Sequence, residues 1–280
     1  MRKIDATEIT ATVARLCIDA CHELPADVIQ AFHEAERKEI SPFGKSVLIK
    51  LIDNDRIARE KNVPYCHDTG LTIVYAEVGQ DVHIVGGDYQ EAIQAGVRKG
   101  YTEGYMRKSV VTDPLLRVKS KDNTPAVLHT EIVPGAGIRL TVMPKGGGSE
   151  NWGTMKFLLP GEGAQGVKAF VLSAIKAAGG SACPPLTVGV GIGGSFDKVT
   201  EIAKKALLRD IGVHHQSAHI AALEAELLEA INRTGIGTQG YGGVSTAIWV
   251  AVESYACHIT ALPVAVNIQC HAARRKTAVI

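Results

Sequence analysis

The run Leu186-Thr-Val-Gly-Val-Gly-Ile-Gly-Gly-Ser195 reads as a strand that closes on a glycine-rich turn and passes at once into a helix, Asp197 to Leu208. A strand followed directly by a helix is the pattern of α/β folds, in which helices lie across sheets. The remaining chain has matching parts. Residues 5 to about 60 read as consecutive helices: Asp5 or Thr7 caps the first, whose Ile9, Val13, Leu16, Cys17 and Ala20 recur at helical spacing. Pro25 opens a second helix, and Ser41-Pro42 opens a third that turns Val47, Leu48, Leu51 and Ile52 inward. Leu71–Val78 and Asp81–Val85 are rich in β-branched residues and read as strands, and Asp88–Gly104 is a helix with Ala92, Ile93, Gly96, Val97 and Gly100 on one face. Val127–Met143 alternates and turns at Pro134–Gly137, the pattern of a hairpin. Further helices are expected over Gly163–Ala178, Ser217–Asn232 and Val244–Tyr255. The expectation is α/β, mixed sheets layered with helices, in one domain over residues 1–280.

A hydrophobic content of 46%, a charged content of 21% and a formal net charge of +1 describe an ordinary globular chain with no electrostatic case for nucleic acid or anionic membrane. No apolar run is long enough to span a bilayer, and Met1-Arg-Lys-Ile-Asp-Ala leads into a capped helix rather than a signal peptide. A cytoplasmic location is expected, so the six cysteines read as thiols or ligands rather than disulfides.

Three of those cysteines share an environment. Cys66, Cys183 and Cys270 stand beside Pro, Gly or polar residues at loop edges, whereas Cys17, Cys21 and Cys257 fall within helical pattern and read as core thiols. No C-x-x-C occurs, which excludes the compact zinc and ferredoxin spacings. Around Cys66 the bend Tyr65-Cys-His-Asp-Thr-Gly70 adds an imidazole, His67, and a carboxylate, Asp68. Arg107 offers a planar fork suited to a carboxylate. Lys145-Gly146-Gly147-Gly148-Ser-Glu-Asn151 follows a strand and can present backbone amides to an anion. Gly235–Gly243 is a second glycine-rich loop, and Cys257-His258 places a histidine upstream of Cys270.

Two further patterns compete for attention. Gly189, Gly191 and Gly194 satisfy G-x-G-x-x-G with Asp210 downstream, but the segment around Asp210 is too poor a second strand for a dinucleotide fold. His214, His215 and His219 form no metalloprotease motif, because no H-E-x-x-H is present. Three thiolates, by contrast, fit a cubane cluster with one iron left open as a Lewis acid. The readings left open are a cluster enzyme, a non-catalytic iron-sulfur protein and a nicotinamide oxidoreductase.

The combination Cys66-His-Asp-Thr-Gly70, Arg107-Lys-Ser-Val-Val-Thr-Asp-Pro-Leu115, Lys145–Asn151, Cys183-Pro-Pro185 and Leu262–Cys270 resembles the α subunit of class I, iron-sulfur fumarate hydratases and tartrate dehydratases, in order along nearly the whole chain. The resemblance implies a [4Fe-4S] cluster on Cys66, Cys183 and Cys270. It implies substrate contacts from His67, Asp68, Arg107 and the Gly146, Gly147 and Gly148 loop, with Asp68 and His258 as catalytic groups. The implied reaction is reversible hydration of fumarate to (S)-malate, with tartrate or a related hydroxydicarboxylate as the alternative. A separate β subunit would supply the general base, in an α2β2 assembly.

Overall fold

In chain order the elements are β1 (Arg2–Asp5), α1 (Ala6–His22), α2 (Ala26–Lys38), α3 (Pro42–Lys61), β2 (Leu71–Gly79), β3 (Val82–Val85), α4 (Tyr89–Glu103), β4 (Val111–Asp113), β5 (Val118–Lys119), β6 (Val127–Val133) and β7 (Ile138–Lys145). There follow α5 (Gly147–Glu150), β8 (Thr154–Leu158), α6 (Gly163–Ala178), β9 (Leu186–Gly193), α7 (Phe196–Ala206), α8 (Ala218–Asn232), β10 (Ala247–Tyr255), β11 (Leu262–Gln269) and β12 (Lys276–Val279). This computed structural model describes every residue, Met1–Ile280. The fold is mixed α/β, as expected, and divides into two compact units.

The first unit comprises Met1–Pro25, Asn54–Gly147 and Arg274–Ile280. Its sheet runs β12-β7-β2-β6, with β2 parallel to β6 and antiparallel to β7. The expected hairpin therefore does not form: β6 and β7 are consecutive in sequence, but β2 lies between them. Strand β2 is buried along nearly all its length and has the apolar content that a central position requires. Helices α1 and α4 cover the sheet. Asp5 caps α1, accepting the Thr7 N–H at 2.8 Å. The small residues expected on α4 let it lie close to α1; a Cβ on Gly96 would stand 2.6 Å from that of Val13. Ile9, Val13, Val74, Ile93, Val97 and Leu140 build the core of this unit.

The second unit comprises Ala26–Asp53 and Gly148–Ala273. Its sheet runs β10-β9-β11-β8, with β9 parallel to β10 and antiparallel to β11. The chain leaves β9 through Gly193 and Gly194, at φ +87° and +77°, and enters α7. Gly189 and Gly191 do not cradle a ligand. They lie inside β9, where a Cβ would come within 2.1 Å of the Ala203 carbonyl and 2.3 Å of the Val199 carbonyl, both on α7. These glycines let the helix sit directly on the strand, which is why the dinucleotide pattern is present without its site.

The segment Val244–Tyr255, expected as a helix, is largely strand β10. Val250, Ala251 and Val252 are buried one after another while the strand pairs with β9, because a strand covered on both faces is apolar throughout even at the edge of its sheet. Cys257, expected in a helical core, lies past the end of β10 and is exposed. Cys17 and Cys21 are fully buried on α1, as expected.

Candidate active site

In the first unit, Tyr65–Gly70 links α3 to β2. Two bonds hold the backbone before the cysteine: Tyr65 N–H donates to the Cys21 carbonyl at 2.9 Å, and Asn54 Nδ2 donates to the Tyr65 carbonyl at 2.7 Å. Three more hold it afterwards. Arg274 Nη1 donates to the Asp68 carbonyl at 2.8 Å, Tyr101 Oη to the Thr69 carbonyl at 2.6 Å, and Thr69 Oγ1 to the Arg107 carbonyl at 2.7 Å.

The Asp68 carboxylate joins this bend to the glycine loop. Its Oδ1 accepts the Gly70 N–H and its Oδ2 the Gly147 N–H, both at 3.0 Å. Gly70, at φ +78°, runs so close to the Lys145 backbone that a Cβ would stand 2.7 Å from the carbonyl. Only glycine fits there. A Cβ on Gly146 would likewise meet Asp68 Oδ2 at 3.1 Å. Asp68, the Arg107 backbone, Gly146 and Gly147 are thus gathered in one place; the side chains of His67 and Arg107 are exposed, and Cys66 is half-buried.

Sequence reasoning missed Arg274. It is 1% exposed, and its guanidinium faces the carbonyl of the bend. The one available signal was a basic pair, Arg274-Arg275, at the edge of a buried apolar stretch. Cys21, expected as a core thiol, is one, and it lies near Cys66. Burial pushes its thiol up to about 11, against the opposing pull of the Arg274 charge, with Cys66 adding to the rise. Cys21 is therefore a protonated, inert neighbour of Cys66 near neutral pH.

In the second unit, Cys183 stands just ahead of β9 and Cys270 just after β11. These strands are antiparallel, with Thr187 opposite Gln269, so both cysteines emerge at the same end of the sheet. Cys183 holds a left-handed conformation, φ +57°, and His271 N–H donates to its carbonyl at 3.0 Å. Both are half-buried thiols. Gly148 is the second residue of α5 and is exposed.

His258 is placed differently. It follows β10, which runs parallel to β9, and so lies at the opposite end of this sheet from Cys183 and Cys270, roughly 25 Å away along eight strand residues. Its ring Nδ1 lies 2.8 Å from Thr260 Oγ1, and the residue is exposed. The fold therefore separates His258 from the cysteine pair it was expected to serve; the histidine beside that pair is His271.

The donor set suits an iron-sulfur cluster. The three cysteines singled out are the three that are neither buried nor fully exposed, none is in a disulfide, and soft thiolates at loop edges are the ligands such clusters take. Neither unit alone gathers three Cys, His, Asp or Glu side chains into a metal-holding group.

A family model described as fumarate hydratase (Fumerase) matches residues 10–279. A Methanocaldococcus jannaschii protein, provisionally named L(+)-tartrate dehydratase subunit alpha, is 42% identical over 279 residues, or 96% of each chain. The L(+)-tartrate dehydratase subunit alpha of Escherichia coli is 33% identical over 273 residues, 96% of this chain and 90% of that one. That of Shigella boydii is 32% identical over 276 residues, 98% of this chain and 91% of that one. A match of this extent defines the class: the chain is a hydro-lyase. More particularly, it belongs to the fumarate hydratase family, among chains of the α-subunit type.

Proposed function

We propose that this chain is the α subunit of a hydro-lyase that interconverts fumarate and (S)-malate, its two units acting as one α domain. Cys66, Cys183 and Cys270 would hold a [4Fe-4S] cluster. When bound, such a cluster supplies a Lewis-acidic iron for a substrate oxygen. The observation that carries the reading is the emergence of Cys183 and Cys270 at one sheet end, tied by the His271 amide, in a chain of this family.

Dehydration of malate removes a hydroxyl from one carbon and a proton from the next, leaving fumarate and water. The chain's own residues handle binding and orientation. Arg107 is anchored at its carbonyl by Thr69 and extends an exposed guanidinium that can pair with a substrate carboxylate. Gly148 and Gly147 flank a turn open to solvent, while Gly146 keeps room for the Asp68 carboxylate that fixes the turn. Asp68 orients this loop and, through it, the substrate. His67, exposed and next to Cys66 in the chain, would hydrogen-bond a substrate oxygen. His258 lies at the opposite end of the sheet from the cysteine pair, so in this reading it takes no part in holding the cluster. The base that takes the carbon-bound proton is assigned to a separate β subunit, in an α2β2 assembly. The names of the relatives as subunits alpha support such a partner. No helix is long and apolar enough to cross a membrane, in keeping with a cytoplasmic enzyme.

L(+)-tartrate is the second reading, favoured by the names of the relatives. Loss of water from tartrate gives the enol of a keto diacid, with the same pair of bonds broken. The deciding experiment is anaerobic reconstitution with iron and sulfide, co-purification with the β subunit, and EPR with malate or L(+)-tartrate added. About four irons per α chain and a signal shifted by one diacid support the cluster reading and identify the substrate. A chain that binds no iron, with all three thiols freely alkylated, overturns it.

A further inference from the structure

The glycine-rich loop Gly235–Gly243 plays no part in the chemistry above, yet it is tightly constrained. At one end, Glu39 fastens it: Oε2 accepts the Ser245 N–H at 2.9 Å, Val244 N–H lies 3.1 and 3.2 Å from the two oxygens, and Oε1 also accepts the N–H groups of Ile40 and Ser41 at 2.9 Å. At its middle, Gly240 presses on the loop ahead of Cys183; a Cβ there would stand 2.7 Å from the Gly180 Cα. Between these holds, Gln239 takes a left-handed conformation, φ +53° and ψ +19°, which residues other than glycine rarely adopt. A residue kept in such a region by its surroundings invites a functional explanation.

The contacts of Gln239 provide one. Its backbone N–H donates to the Pro184 carbonyl at 2.9 Å, and its side-chain Nε2 donates to the same oxygen at 2.6 Å. Nε2 also lies 3.0 Å from His271 Nδ1. An amide turned end for end would set Oε1 against the Pro184 oxygen, so Nε2 is the donor at both contacts. His271 Nδ1 then accepts, and the ring proton sits on Nε2; the competing arrangement, with Nδ1 donating to the Cys183 carbonyl at 3.2 Å, is displaced. One amide thus bridges the residue after Cys183 and the residue after Cys270.

We propose that Gln239 is a positioning residue for the Cys183–Cys270 pair. By linking Pro184 to His271 and fixing the His271 tautomer, it holds the two cysteine segments at a set separation before any cluster arrives. The proposal rests on the cluster reading for its purpose but not for its geometry. Partners that orient ligand-bearing segments are worth about 10–100-fold in metal affinity when removed.

Gln239→Gly is the informative variant, because glycine suits this backbone and keeps the N–H to Pro184 while removing the bridge. Gln239→Leu keeps the bulk and removes the donors. Two readouts are taken on the full chain, in a Cys257→Ser background. The first is the rate at which phenylarsine oxide, which needs two adjacent thiols, bridges Cys183 to Cys270 in the cluster-free chain, mapped by mass spectrometry. The second is iron release to a chelator after anaerobic reconstitution. We expect Gln239→Gly to melt no lower than the parent, yet to bridge about tenfold more slowly and to release iron at least tenfold faster. Bridging and iron release at parental rates overturn the proposal. Should the parent take up no iron, the cluster reading fails on its own, and bridging alone decides: slowed bridging in Gln239→Gly supports the positioning role and unchanged bridging refutes it.

Discussion

Asp68→Asn separates a carboxylate that organises loops from one that only transfers protons. Each oxygen of Asp68 accepts one backbone amide, Gly70 N–H and Gly147 N–H, both at 3.0 Å. An asparagine amide must turn its NH2 toward one of these donors whichever way it lies, so one bond is lost and a donor faces a donor. Bonds to a charged acceptor contribute about 1.5–3 kcal/mol each. Gly70 is buried and Gly147 exposed, so the amide oxygen keeps Gly70 and the outer bond is the one lost. A weakened inner bond and a lost outer one together cost about 2 kcal/mol. For a chain of this size that lowers the melting temperature by roughly 4–8 °C. The assay is calorimetric or fluorescence melting of the cluster-free chain, beside turnover of the reconstituted chain with its β subunit. Turnover should fall as well, because Gly147 is released. An Asp68 whose only task is proton transfer would abolish turnover while leaving cluster-free stability within about 0.5 kcal/mol of the parent, and that result would refute the reasoning.

Glu224 gives a pH-dependent prediction. Burial pushes its carboxyl up, but bonds from Val252 N–H (2.9 Å), His215 N–H (3.1 Å), His214 Nδ1 (2.9 Å) and Arg209 outweigh burial and hold it below the usual glutamate value of 4.5. Its contribution is therefore fully present above that value and lost as pH falls through the lowered folded value. Glu224→Gln should cost about 3–5 kcal/mol and flatten the acid limb of urea midpoint against pH; a cost below about 1 kcal/mol would argue against a buried network. Gly189→Ala sets a Cβ 2.1 Å from the Ala203 carbonyl and should destabilise by about 3 kcal/mol in urea unfolding, whereas a mild stability change with lost NAD binding would restore the nucleotide reading. His258→Ala should leave iron content per chain unchanged, because the residue stands at the far end of the sheet from Cys183 and Cys270. A halved iron content would show that it supports the cluster after all.

Local signals carried much of the fold. The Asp5 cap, the Pro25 and Ser41-Pro42 helix starts and the apolar faces of α1 and α4 follow from spacing within one turn or two, and the structure has them where the sequence puts them. Strand β10 was misread because apolar periodicity does not separate a buried helix from a strand covered on both faces. The hairpin over Val127–Met143 was misread because β6 and β7 are each claimed by β2, a partner distant in sequence, and nothing in a turn reports what will insert beside it. The cysteines behaved similarly. Their loop contexts marked Cys66, Cys183 and Cys270 as different, but the pairing of Cys183 with Cys270 arises from the antiparallel register of β9 and β11, and the remoteness of His258 from the parallel register of β9 and β10. Arg274 and Gln239 were missed because their significance lies in the backbone carbonyls they reach, which side-chain chemistry read along a chain does not reveal.

Three carboxylates in this chain do the same structural work, and their agreement explains why so many glycines surround the site. Asp68 joins Gly70 to Gly147, Glu39 joins Ile40 and Ser41 to Val244 and Ser245, and Glu224 joins His215 to Val252. In each case an acceptor-only side chain satisfies backbone donors on two segments distant in sequence, donors left over by the sheets and helices because they lie in loops, at the start of α5 or, for Val252, on the edge strand β10. Glycine allows the close approach: a Cβ at Gly243 would stand 2.3 Å from Glu39 Oε1, and one at Gly70 would collide with Lys145. Loops held this way are ordered before a ligand binds, which lowers the ordering cost at binding. Glu39 shares with Glu224 a carboxyl held below the usual range, burial again being outweighed by its backbone donors. Acid should therefore loosen these loops before it melts the sheets, and amide exchange at Val244 and Ser245 should accelerate with falling pH earlier than exchange within β9.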